Sequence, residues 1–319
     1  MKNTRREFIG RAAGTAVAAA AGDWWLPRGA VAAERAGPHV KFPVAARERL
    51  AVASYPFRKV IAGFGEAAKE AAHPQMELKD FAAHAMEKFG VNKIEPWSWH
   101  FRSLEKKYLE ELRGAVEKAG AAIVNVAVDG AHSVYSVDAT ERDKAVQHAK
   151  EWIDAAAMIG SPSVRTHIAG AKDSRPNVER AAESLRRVAE YGAARNVVVH
   201  LENDDAVSED PFFVVKVIEK AGTPWLRALP DFANTITTGK GEYAYEGITA
   251  MFAHAYGICH VKEVETDDAG KEFRADLPRT FGILKASGYK GYCSMEWDSP
   301  GDPYLGTMGL IEKAMKYLS

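Results

Sequence analysis

VVVHLE (197–202) runs through three valines to a histidine and a glutamate, and three other stretches repeat the pattern: LRALPD (226–231), GICHV (257–261) and GYCSME (291–296). Each follows a helix-like stretch. Glu202, Asp231, His260 and Glu296 therefore fall at equivalent points of a repeated strand–helix unit. In a (β/α)8 barrel the C-terminal ends of the strands converge on one face, where side chains from different strands build a common site. These four residues read as the ligand set of one divalent metal ion.

Working outward, four more strand candidates precede these runs: RLAVASY (49–55), NKIEPW (92–97), AIVNVAV (122–128) and SVRTHI (163–168). Amphipathic stretches lie between them, among them 78–90, 103–120, 141–160 and 176–196. Their apolar residues recur at three and four, as in Ala181, Leu185, Val188 and Ala189. Strands alternating with helices imply a parallel sheet. Eight units with ligands on four successive strands favour closure into a (β/α)8 TIM barrel over an open doubly wound sheet. No GxGxxG or GxxxxGK[ST] loop follows any strand, so nucleotide binding of the Rossmann or P-loop kind has no support.

The barrel is expected to occupy residues 37–319. Before it, residues 1–36 hold TRREFIG (4–10), with Arg5 and Arg6 paired, then an Ala-rich stretch (12–22) and small residues at 30–33. This resembles a twin-arginine export signal with a short linker, cleaved near Ala32 or Ala33, and implies the twin-arginine export machinery as a partner and the periplasm as destination. Cutting after Ala32 removes five basic and two acidic residues, taking the net charge from −1 to −4. A mildly acidic body offers no electrostatic footprint for nucleic acid. Cys259 and Cys293 each lie an odd number of residues from a proposed ligand, so both are expected to point toward the helices, as two buried thiols rather than a disulfide.

Three carboxylates and an imidazole make a hard, oxygen-rich set, suited to a six-coordinate ion with positions left for substrate. A vicinal hydroxy-carbonyl held there would have its carbonyl polarised and an enediolate stabilised once the neighbouring C–H loses its proton. Glu202 and Glu296 are the expected proton-transfer pair.

HLEND (200–204), LPDFANT (229–235), CHVKEVE (259–265) and YCSMEWD (292–298), with ligands 29, 29 and 36 residues apart, resemble the sugar phosphate isomerase/epimerase family of xylose isomerase-like barrels over nearly all of 48–318. The spacings are similar to those of its ketose 3-epimerase and hydroxypyruvate isomerase branches. The resemblance implies that Glu202, Asp231, His260 and Glu296 bind one divalent ion, Mn²⁺ first among Mn²⁺, Mg²⁺, Co²⁺ and Zn²⁺, and that the two glutamates move protons. It also implies a small-molecule carbohydrate substrate and a homo-oligomer. Isomerisation or epimerisation is the expected reaction. A lyase on a keto sugar or 3-keto-glycoside is the alternative, since the same carbanion can expel a leaving group. A nuclease and a non-catalytic sugar-binding barrel fit less well.

Further residues are expected near substrate. Lys262, two after His260, sits in HVKE, which resembles a stretch that places a lysine near substrate in family members. His200 shares the inward face with Glu202 and reads either as a contact or as a core histidine. Arg165 and His167, at the end of the fourth strand, read as a hydroxyl or carboxylate contact or as a salt bridge. Glu95 is expected to accept hydrogen bonds from substrate hydroxyls, and Trp97 and Trp99 to wall a sugar ring or pack the rim; His132, just after strand three, reads either as a substrate contact or as a loop histidine.

Overall fold

LAVA (50–53) is buried throughout and forms β1 (Leu50–Ala53), the strand on which the sheet closes. The computed structural model describes residues 37–239, 241–267 and 269–319; Arg5, Arg6 and the expected cleavage at Ala32 or Ala33 lie outside the described residues. In chain order β2 (Lys93–Glu95), β3 (Ala122–Ile123), β4 (Val126–Ala127), β5 (Ser163–Thr166), β6 (Val198–Glu202), β7 (Leu226–Leu229) and β8 (Ile258–Val261) follow. A short hairpin of β9 (Val264–Thr266) and β10 (Glu272–Arg274) comes next, and β11 (Tyr292–Met295) completes the barrel. Every expected strand forms. The third is broken into β3 and β4 on either side of Val124 and Asn125; the fully buried Asn125 side chain donates to Glu95 and accepts from Ser163 Oγ at 2.6 Å.

All barrel pairings are parallel, from β3 through β2, β1 and β11 to β8, and from β4 through β5 and β6 to β7. Two seams join these arcs, and a proline sits at each. Pro96 and Pro230 have no N–H to donate, and the ladder narrows there to isolated bridges, Trp97 to Ala127 at one seam and Ala228 to Ala255 and Asp231 to His260 at the other. Both prolines still accept, from Ala127 N at 2.9 Å and from His260 N at 3.1 Å, and the ring closes as a TIM barrel.

Helices cover the outside. Val178–Ala193 buries Ala181, Leu185, Val188 and Ala189 on one stripe, as the spacing requires, and Asn177 caps its first turn by accepting from Arg180 N. Asp138, Asp210, Asp276 and Asp302 do the same for four other helices. Gly160 ends Ala139–Ile159 at φ 79°, a left-handed conformation that glycine adopts without Cβ strain. Cys259 and Cys293 are register partners on β8 and β11, both fully buried in the strand–helix layer with free thiols 3.7 Å apart, facing the helices as expected.

The barrel interior holds only a small apolar cluster, Ala51, Val124, Leu229, Ile258 and Tyr292. Phe42 seals it from below, edge-on to Tyr256 and Tyr292, with Tyr256 Oη bonded to both Pro38 O and Val40 N. The strand N-termini are thereby plugged. Access is left to the C-terminal face. No helix among the described residues is long and apolar enough to cross a membrane.

Candidate metal centre and the cleft above it

Glu202 is the last residue of β6, Asp231 and Glu296 lie just past β7 and β11, and His260 is in β8, so four neighbouring strands aim these side chains at one point. One ligand atom from each lies within 4.8 Å of all the others, and all four residues are buried. Nδ1 of His260 is 2.6 Å from Glu202 Oε1, 2.5 Å from Glu296 Oε2 and 4.0 Å from Asp231 Oδ2. The residues fit a hard divalent cation. Asp231 Oδ2 is buried with no hydrogen-bond donor, an arrangement that is unfavourable unless a cation faces it.

The electrostatics agree. Burial, with Glu202 and Glu296 close by, pushes the Asp231 carboxyl up to about 8. Burial pulls His260 down, but Glu202, Glu296 and Glu95 outweigh it and hold the ring well above its ordinary value. In the protein alone, an imidazolium neutralises a cluster of acids. A divalent ion would do so with more charge and would take Nδ1 as ligand.

Asp231 is locked in place through its backbone and one oxygen. Its Oδ1 accepts from Ala233 N at 2.8 Å and Asn234 N at 2.7 Å, which leaves Oδ2 turned to the cluster. On the β6 side the Asn203 side chain carries the pairing past the strand end, accepting from Asp231 N at 2.8 Å and donating to Asp231 O at 3.1 Å. Arg165 stands beside the other flank, with Nε 2.7 Å from Glu202 Oε2 and an Nη1 that donates to Asp129 Oδ1 at 2.7 Å.

A cleft of about 390 Å³ opens above the centre. Glu202 and Glu296 line it, whereas Asp231 and His260 lie beneath. Its other walls include Trp97, Arg165, His167 and Lys262, all expected from the sequence. Lys262 donates to Asn234 Oδ1 at 3.0 Å and pairs with Glu265; burial opposes its charge, but Asp231, Glu296 and Glu265 hold the ammonium well above its usual value. His167 Nδ1 lies 3.5 Å from Asp204. Trp97 presents a ring edge-on to Tyr55, centroids 5.0 Å apart, and ties its Nε1 to Asp129.

Three expected contacts, and Trp99, are placed elsewhere. Glu95 is fully buried, its Oε1 and Oε2 each 3.0 Å from His260 Nε2, so it meets the histidine rather than a substrate hydroxyl. His200 lies deeper, accepting from Gly257 N at 3.1 Å; burial drops it to about 3, and it is a neutral core histidine. His132 is exposed on its loop and paired with Glu141 at 2.9 Å, outside the cleft wall. Trp99 packs on Gly65 and away from the cleft.

Sequence reading missed Tyr55, Arg58, Asp129, Asp204, Asn234 and Asp298 in or at the cleft. Most lie within a few residues after a strand end, four of them inside quoted motifs (Tyr55 in RLAVASY, Asp204 in HLEND, Asn234 in LPDFANT, Asp298 in YCSMEWD), so position alone could have flagged them.

Solved structures with the same fold are numerous. A xylose isomerase-like TIM barrel protein from Mycobacterium smegmatis, solved in complex with magnesium, is 16% identical at a TM-score of 0.62, with 86% of this chain and 99% of that one covered. D-allulose 3-epimerase from Methylomonas sp. gives 16%, 0.62, 87% and 98%. The 3-keto-D-glucoside 4-epimerase of E. coli gives 15%, 0.59, 80% and 98%. No functionally curated protein matches the sequence significantly. Residues 83–319 carry the signature of the xylose isomerase-like TIM barrels, and the chain belongs to that family.

Proposed function

We propose that this protein is a divalent-metal-dependent isomerase or epimerase of a carbohydrate-like hydroxy-carbonyl compound, working by proton transfer through an enediolate. The observation that carries the reading is the split within the four-residue cluster: Asp231 and His260 lie beneath the cleft floor, while Glu202 and Glu296 also face the cleft. A group that only held a metal would have no need of access to substrate, and a proton-transfer group must have it. Two fold neighbours, the epimerases acting on D-allulose and on a 3-keto-D-glucoside, support the reaction class, and the magnesium complex supports a divalent ion.

The bound ion, for which Mn²⁺ is our first choice, supplies Lewis-acid polarisation of the substrate carbonyl. The chain's own residues do the rest. One of Glu202 and Glu296 takes the proton from the carbon beside the carbonyl and the other returns or relays one, with Arg165 fixing Glu202 from the side. Lys262, Asn234 and His167 supply polar contacts to hydroxyls, and Trp97 supplies an apolar wall. Hydrogen exchange from a ketose in deuterated water, compared between the wild type and glutamine variants of the two glutamates, tests the proposal. The lyase alternative shares the first step and differs in its product, an unsaturated sugar with a released leaving group.

Residues 1–36 we read as a twin-arginine leader that sends the folded barrel to the periplasm. The homo-oligomer remains part of this reading.

A further inference from the structure

The cleft continues past its rim. Tyr55, Asp204, Asn234 and Lys262 line both the inner cleft and an outer compartment of about 330 Å³, bounded by the 3-10 turn Asn234–Thr238, the hairpin strand β9 and Asp298. Each compartment by itself is in the size range of a small-ligand site. A single sugar unit over the candidate centre would leave the outer one vacant.

The outer walls are rich in acceptors. Asp204, Glu209, Glu265, Asp267 and Asp298 line the compartment, and the described cations beside them are already engaged: Lys262 donates to Asn234 and pairs with Glu265, and Arg165 lies 3.9 Å from Asp204. Arg58, at the boundary, is tied to Asp298 Oδ1 at 2.7 Å. A phosphate or carboxylate entering here would meet like charges, with Lys262, Arg58 and Arg165 each already committed to an acid. Carboxylates accept hydrogen bonds and cannot donate them when ionised, so these walls match the O–H donors of an uncharged polyol. At the junction the Tyr55 and Trp97 rings offer apolar surface for a sugar face.

We infer that the substrate is an uncharged saccharide of two units, its hydroxy-carbonyl unit in the inner cleft and its second sugar in the outer compartment, and that sugar phosphates are rejected. This rests on the isomerase/epimerase reading. Three ketoses that share the same carbonyl end test it on the Mn²⁺-loaded protein: D-fructose, isomaltulose with a glucosyl group on O6, and D-fructose 6-phosphate. Loss of the hydrogen on C3 into deuterated water is followed by NMR. The expected order in kcat/KM is isomaltulose above fructose by about tenfold or more and fructose 6-phosphate below fructose by a similar factor, each the effect of a single favourable interaction or a single repulsion. Glu265→Gln, which removes one acid and loosens Lys262, should raise the use of fructose 6-phosphate severalfold. Equal use of the three ketoses, preference for the phosphate, or an unchanged phosphate rate in Glu265→Gln would overturn the inference and leave the reaction class standing. No exchange with any of the three, with metal bound, would overturn the reaction class and this inference together.

Discussion

Glu95 brackets Nε2 of His260 between its two carboxylate oxygens, each 3.0 Å away, and neither residue is open to solvent. The contact holds the ring proton on Nε2 and aims Nδ1 at Glu202, Glu296 and Asp231, the orientation a metal-ligating histidine requires. Asn125, donating to Glu95 Oε1 at 2.7 Å, holds the carboxylate in turn. Glu95→Gln should therefore weaken Mn²⁺ binding by roughly 10–100-fold while the apo protein still folds. Calorimetric titration measures this; an unchanged Kd would mean that the carboxylate does not support the ligand.

Asp231 tests the cluster from a different side. Its Oδ2 is buried without a hydrogen-bond donor and its charge is disfavoured there, so Asp231→Asn removes a group that the metal-free protein holds at a cost. The apo melting temperature should stay level or rise. The wild type should bind about one divalent ion per chain and melt higher with Mn²⁺, because an ion that binds only the folded state stabilises it, and the variant should lose both responses. A stoichiometric ion in the variant would place the metal elsewhere.

His100 sets part of the acid sensitivity. It is buried against Trp97, with Nδ1 2.8 Å from the Ser54 hydroxyl, and burial depresses it to about 3. The unfolded chain takes up this proton near the ordinary histidine value of 6.5, while the folded protein does not until about 3. Stability is therefore lost as pH falls below 6.5. Between pH 6.5 and 4.5 the loss amounts to roughly 2–3 kcal/mol as an upper bound. His100→Gln, which keeps an acceptor for Ser54 without titrating, should show a correspondingly shallower decline in denaturant unfolding. Parallel pH profiles for the two proteins would rule this out.

For export, Arg5 and Arg6 exchanged together for lysine should leave a full-length precursor in the cytoplasm, since a receptor that reads paired guanidiniums takes lysine poorly. Immunoblots of fractionated cells decide the matter. A processed periplasmic product from that variant would contradict the proposed leader.

The fold was legible because period and position coincide: apolar runs such as VVVHLE alternate with stripes such as Ala181, Leu185, Val188 and Ala189, and each run ends where a barrel gathers its side chains. That Glu202, Asp231, His260 and Glu296 come together was legible for the same reason. Depth along the barrel axis was not. His200 and Glu202 share an inward face two residues apart, and one lies in the core while the other reaches the cleft. Glu95 ends its strand like the ligands do, but the ring of His260 lies over it. Asn125, at the break in the third strand, bonds to Glu95, a partner 30 residues away that no local pattern marks. Asp129 and Asp298 meet Arg165 and Arg58, partners distant in sequence that no local pattern marks.

Glu202 and Glu296 are proposed to move the proton, and solvent exchange at the carbon beside the carbonyl reads that step itself. With metal saturating and its binding verified, isomaltulose or D-fructose in deuterated water should lose that hydrogen with the wild type. Glu202→Gln and Glu296→Gln should each slow the loss by roughly 100-fold or more, because an amide cannot act as a general base. Wild-type exchange rates in both variants with the ion in place would contradict the account.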